Sequence, residues 1–118
     1  MLRKILQSFV HASRGLRAAW QDGWNCRIQS IAAMFLLGLI WYFQLSVVEA
    51  VLLLGAALFV IFAELMNTAI ERTLDLVEAE YHPGVGRIKD IAAGGVFIAS
   101  ITALIAGLMV IFRHVSGL

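Results

Sequence analysis

Uncharged, largely apolar residues run in three blocks: Ile28 to Val48, 21 residues; Ala50 to Ala63, 14 residues; and Ile91 to Phe112, 22 residues. At about 1.5 Å of helical rise per residue, the first and third cover the roughly 30 Å hydrocarbon layer of a bilayer. They predict membrane spans at about 28–48 and 91–112. The middle block lies between Glu49 and Glu64 and is too short alone, so a span over about 48–70 must carry a carboxylate at an interface or inside the bundle. An ionisable residue at that depth points to function. Ahead of the first span, Leu2, Ile5, Leu6, Phe9, Leu16 and Trp20 recur at mostly helical spacing among Arg3, Lys4, His11, Arg14 and Arg17. That pattern predicts an amphipathic helix over about 2–20 resting on the inner leaflet. The expected fold class is all-α, with three transmembrane helices behind a surface helix.

Composition agrees with this reading. Of 118 residues, 61% are hydrophobic and 14% charged, against about 45–50% and 25% for a soluble domain. The length fits one domain and excludes a two-lobed kinase or a dinucleotide-binding fold. The net charge of +1 conceals an asymmetry. Arg3, Lys4, Arg14, Arg17 and Arg27 precede the first span, and Arg72, Arg87 and Lys89 lie between the second and third. The positive-inside rule places both segments in the cytoplasm, where ATP is found, and the C-terminus outside. No removable signal peptide is read at the N-terminus.

From Glu64 to His82, Glu64, Asn67, Glu71, Asp75, Glu78 and His82 fall within an arc of roughly 80° on a helix, which Pro83 would end. A solvated face accounts for Asp75, Glu78 and Glu80. It does not account for Glu64, which closes the second hydrophobic run, where an unpaired carboxylate costs several kcal/mol. Two carboxylates and a carboxamide at i, i+3 and i+7 present hard oxygens that suit Mg²⁺, with water and phosphate completing the shell. Zinc lacks a Cys/His pair at ligand spacing, and a single cysteine, Cys26, excludes an internal disulfide. Arg87 and Lys89 could neutralise phosphate. Carboxylate, Mg²⁺ ligands and cations together suit phosphoryl transfer, although neither a P-loop nor the HRD and DFG motifs of soluble kinases occur.

The run Glu64-Leu-Met-Asn67-Thr-Ala-Ile-Glu71, then Glu80-Tyr-His82, then Lys89-Asp90 followed by Ala92-Ala93-Gly94, resembles the signature of the bacterial integral-membrane diacylglycerol kinase family, which includes the undecaprenol kinases. Gly15-Leu-Arg17-Ala-Ala-Trp20 is similar to that family's surface-helix motif. The resemblance covers nearly the whole chain, 1–118, as a single membrane-embedded lipid kinase domain. It implies a homotrimer in the bacterial inner membrane, ATP with Mg²⁺ as phosphoryl donor, and a lipid alcohol as acceptor. By the same resemblance Glu64 is the general base and Glu71 a metal ligand. Asn67 positions the site; it, Glu80, His82, Lys89 and Asp90 meet nucleotide, and Arg17 and Trp20 border the lipid.

One position departs from the pattern. The family's metal-binding glutamate after the surface helix is matched by Gly23, with Asp22 one residue earlier. Either Asp22 substitutes as a metal ligand or the metal site is weakened; a glutamate put at position 23 should preserve or improve activity in the latter case. Tyr81-His82-Pro83 and Lys89-Asp90-Ile-Ala-Ala-Gly resemble the undecaprenol kinase branch more than the diacylglycerol branch.

Other features carry structural expectations. Trp24, Trp41 and Tyr42 mark the interfaces of span one, Cys26 is a buried thiol, and Glu49 rests in the headgroups. Gly95, Ala99, Ala103 and Gly107 form a small-residue stripe suited to association with another helix. A second functional class, a small oligomeric ion channel or proton-coupled carrier with Glu64 titrating in the bundle, leaves Asn67, Lys89 and Asp90 without a role.

Overall fold

The computed structural model describes residues 1–78, 80 and 82–117. Tyr81, the centre of the Glu80-Tyr-His82 motif, lies outside the described residues. Four helices follow in order: α1 (Leu2–Asp22), α2 (Trp24–Tyr42), α3 (Val47–Val77) and α4 (Pro83–Ser116). The longest contact is α3 against α4, followed by α2 against α3, with α1 touching α2 near their junction. Helix α3 is thus the central rod. Both α3 and α4 are long and apolar enough to cross a membrane, whereas α1 and α2 are apolar enough only as a pair bent by 107°. Among the described residues there are therefore two such helices, or three with the bent pair. Asn25, Arg27 and Gln29 in the first turns of α2 lower its hydropathy.

Large apolar side chains stay exposed along α3 and α4, Val51, Leu58, Phe62, Phe97, Ile101 and Leu108 among them. Such surfaces suit lipid better than water. Inside, Leu53, Ala106 and Val110 form a small core with Leu36, Leu45 and Ala56 against it. Ala99 is fully buried. Part of the expected association stripe is thus consumed within the subunit, because a small side chain lets two helices of one chain approach as readily as helices of two chains.

Local chemistry fixes the bends. Between α1 and α2 the single residue Gly23 caps both helices, and its N–H donates to Ala19 O at 2.8 Å. Arg27 folds back so that its guanidinium donates to Trp20 O, and to Gln21 O at 2.9 Å. These are carbonyls of the last turn of α1, which have no helical partner and attract a cation. The first span was expected to run to residue 48, but α2 ends at Tyr42. Gln44 has φ 50°, Gln44 N–H donates to Trp41 O, and Leu45 N–H donates to Ile40 O. This is a Schellman ending, with Leu45 turned into the core.

Helix α3 opens with a capping box: Ser46 Oγ accepts from Glu49 N–H at 3.2 Å, and Glu49 Oε2 accepts from Ser46 N–H at 3.0 Å. Glu49 is buried, and its carboxylate faces Arg113 Nε at 3.9 Å and His114 Nε2 at 3.6 Å. The headgroup expectation for Glu49 is therefore corrected. The side chain joins the start of α3 to the end of α4, since a reciprocal cap consumes the carboxylate's lone pairs.

Pro83 does not end the acidic helix. Helix α3 stops at Val77, where Glu78 turns extended, and Pro83 opens α4 at its first position with His82 as N-cap. A proline ring disfavours helical geometry in the preceding residue, and the missing N–H is harmless in a first turn. His82 Nδ1 accepts from Gly84 N–H at 3.0 Å. Helix α4 accordingly starts eight residues before the expected third span.

Candidate functional site

Because α3 continues unbroken through the end of its apolar run, Glu64, Asn67 and Glu71 stand on one face at successive turns, as their spacing predicts. Glu64 is 5% exposed and Asn67 9%, while Glu71 is intermediate. Asn67 Nδ2 donates to Glu71 Oε1 at 3.3 Å. Its other polar atom, Oδ1, is buried and has no hydrogen-bond partner among the described residues. A buried carbonyl oxygen without a donor is expensive and marks a place where a cation or a donor group fits.

Beside this face lies a cavity of about 170 Å³ lined by Asp22, Gly23, Trp24, Asn25, Asn67, Thr68, Glu71 and Arg72. The bend between α1 and α2 creates it by carrying the end of α1 against the inner part of α3. Gly23, which stands where the family has its glutamate, and Asp22, the candidate to substitute for it, therefore both line the same cavity as Asn67 and Glu71. Asp22 Oδ2 is 3.8 Å from Arg72 Nε. A second, more apolar cleft of about 470 Å³ runs between α1 and α3, lined by residues including Ala12, Leu16, Ala19, Leu65, Met66 and Ala69, and ends on the same Asp22 and Arg72.

The donor set suits Mg²⁺. No group of three or more His, Cys, Asp or Glu side chains converges among the described residues, which argues against an all-protein cage. One carboxylate from Glu71 and the unpartnered carboxamide oxygen of Asn67, on two residues that line a polar cavity, instead suit an ion that completes its shell with water and phosphate.

The remaining expected residues are placed elsewhere. Lys89 Nζ sits 2.9 Å from Asp75 Oδ1, so the cation before the third span is paired with the outer part of the acidic face. Glu78 and His82 do not join that face; the helix ends before Glu78, and His82 is turned to its cap. Glu80 and Asp90 are exposed and line no part of the polar cavity. Arg17 and Trp20 are exposed on α1 and line neither the polar cavity nor the cleft. Cys26 is buried, as expected. Asn25, Thr68 and Arg72 were not foreseen as site residues. Arg72 follows Glu71 directly, but only the fold brings α1 to it.

The match to known proteins falls on these same helices. The model of prokaryotic diacylglycerol kinase matches residues 10–111. The chain belongs to the prokaryotic diacylglycerol kinase family. It is 30% identical over 111 residues to the diacylglycerol kinase of Escherichia coli K12, covering 94% of this chain and 91% of that one. It is 35% identical over 111 residues to the undecaprenol kinase of Bacillus subtilis 168, covering 92% and 89%. To the diacylglycerol kinase of Haemophilus influenzae it is 30% identical over 98 residues, covering 83% of each. The chain is thus a membrane lipid kinase, and the channel or carrier alternative is not favoured.

Proposed function

We propose that the chain transfers the γ-phosphoryl group of ATP to the hydroxyl of a membrane lipid alcohol at the cytoplasmic face of the bacterial inner membrane, undecaprenol being preferred to diacylglycerol. The observation that carries this reading is the alignment of Glu64, Asn67 and Glu71 on one helix that crosses from apolar to polar surroundings. The 35% identity to an undecaprenol kinase, against 30% to the diacylglycerol kinases above, supports the acceptor choice, as do the Tyr81-His82-Pro83 and Lys89-Asp90 motifs.

Glu64, nearest the apolar layer, takes the proton of the acceptor hydroxyl as that oxygen bonds to the γ-phosphorus. The bond from the γ-phosphorus to the bridging oxygen breaks, and ADP leaves with the electron pair. Glu71 and the Asn67 carboxamide oxygen would hold Mg²⁺, which screens phosphate charge when bound. Asn67 keeps the Glu71 carboxylate oriented through its Nδ2 hydrogen bond. Lys89, Asp90, Glu80 and His82 are assigned to nucleotide by the family motif alone, since none of them lines the polar cavity. The apolar cleft between α1 and α3 supports an acceptor entering sideways, with Arg17 and Trp20 of a surface-lying α1 at the bilayer boundary. Three spans in a single domain, with the N-terminus cytoplasmic, and assembly as a homotrimer complete the reading; the large exposed apolar surface of α3 and α4 suits burial against lipid and further subunits.

The deciding experiment supplies purified protein in bicelles with Mg²⁺, radiolabelled ATP and either lipid. Label entering undecaprenol faster than diacylglycerol is expected. Transfer to neither lipid, with ion flux in vesicles instead, overturns the proposal.

A further inference from the structure

We infer that Arg72 is a phosphate-binding residue of the kinase site and that Asp22 is its counterion, not a ligand for metal. The inference rests on the proposed function for the identity of the anion, and on the polar cavity for its place.

Two observations lead there. Among the described residues, Arg72 is the sole cationic side chain lining the cavity that Asn67 and Glu71 also line. The other nearby candidate, Lys89, is engaged with Asp75 at 2.9 Å. A cavity walled by Glu71 and Asp22 repels a polyphosphate unless a cation stands beside them, and a guanidinium presents a planar fork of donors that matches phosphate oxygens.

The geometry of the pair also matters. Arg72 Nε and Asp22 Oδ2 lie 3.8 Å apart, with the two side chains 56% and 53% exposed. This is an ion pair at long range and in contact with water, so it orients the guanidinium without consuming its donors. Among the described residues no side-chain hydrogen bond uses the Arg72 guanidinium. Phosphate can therefore take those donors while Asp22 stays beside the guanidinium. The same proximity disqualifies Asp22 as a metal ligand, since a fixed positive charge beside a carboxylate opposes a divalent cation on it. Asn67 Oδ1, buried and without a hydrogen-bond partner among the described residues, is the better oxygen for a cation.

The test uses the full chain in detergent micelles and reads nucleotide binding directly, by displacement of a fluorescent ATP analogue with ATP, ADP and AMP, beside the kinetics. Arg72→Ala should weaken ATP and ADP binding about tenfold to a hundredfold, with a smaller loss for AMP, and should raise the KM for ATP more than it lowers kcat. Arg72→Lys should recover only part of the affinity, because it restores charge without the fork. Asp22→Asn should tighten ATP binding severalfold and leave the Mg²⁺ concentration for half-maximal activity no higher than in the parent. Asp22→Asn breaks the same α1–α3 ion pair as Arg72→Ala, so weakened ATP binding in both variants would mean a structural clasp and overturn the inference. ATP binding by Arg72→Ala within twofold of the parent, or a raised Mg²⁺ requirement in Asp22→Asn, would overturn it too. A parent protein that phosphorylates neither lipid sinks the proposed function instead, a separate outcome.

Discussion

Asn67 and Glu71 are tied to each other one turn apart on α3, the carboxamide nitrogen of the first donating to the carboxylate of the second at 3.3 Å, while the buried carboxamide oxygen has no hydrogen-bond partner among the described residues. One side chain thus orients a carboxylate and offers an oxygen of its own. Removing the carboxylate should damage cation handling more than lipid binding. Glu71→Ala is expected to raise the Mg²⁺ concentration for half-maximal phosphorylation by about tenfold or more. An unchanged Mg²⁺ titration counts against a ligand role.

Glu64 is nearly inaccessible at the inner end of the apolar run. Glu64→Gln keeps its shape and removes its basicity, so turnover should fall by about 10²–10⁴-fold with the affinity for ATP retained. Size-exclusion chromatography should show the same oligomer. Turnover within a few fold of the parent would remove Glu64 from the role of base.

Gly23 allows no substitute without movement. A Cβ there would lie 2.7 Å from the backbone oxygen of Ala19 and 3.3 Å from Cys26 Cβ. The earlier expectation that a glutamate at this position preserves or improves activity meets a backbone obstruction, not merely a missing ligand. Gly23→Ala should cost about 1–3 kcal/mol by overpacking at the bend, and Gly23→Glu no less. Thermal unfolding in detergent checks this; an unshifted midpoint for Gly23→Ala would show that the bend relaxes freely.

Gln44 occupies the left-handed region at φ 50°, where an L side chain costs roughly 1 kcal/mol relative to glycine. Gln44→Gly should stabilise the protein by about 0.5–1 kcal/mol despite the added freedom of the unfolded chain. A lowered midpoint would mean that the Gln44 side chain contributes more than its backbone conformation costs.

Glu49 combines a cap with two neighbours, Arg113 and His114, across the end of the bundle. Glu49→Ala removes both and leaves Ser46 N–H without its acceptor, so a loss of about 1–2 kcal/mol is expected. Catalysis should be untouched at temperatures well below unfolding. Equal stability of parent and variant would make the latch ornamental.

Periodicity and charge made much of this architecture readable. Spacing alone put Glu64, Asn67 and Glu71 on one face, because a helix that continues through an apolar run has no freedom to separate them. What failed was punctuation. Pro83 reads equally well as the stop of one helix or the first residue of the next, and only the position of Val77 decides between them. Glu49 looked peripheral because its partners Arg113 and His114 lie more than sixty residues away in sequence. Arg72 was overlooked for the same reason: its relation to Asp22 depends on a 107° bend set by a glycine and by an arginine reaching back seven residues. Nothing local in the chain announces that geometry.

Helix α3 has 31 residues, which is about 46 Å of rod against roughly 30 Å of hydrocarbon. On the proposed function, its surplus would jut from the oily slab as a rigid post, so that a greasy alcohol and a water-borne nucleotide would be held at fixed heights on the same pole. The insoluble reactant need never be lifted out of its leaflet for the two to meet.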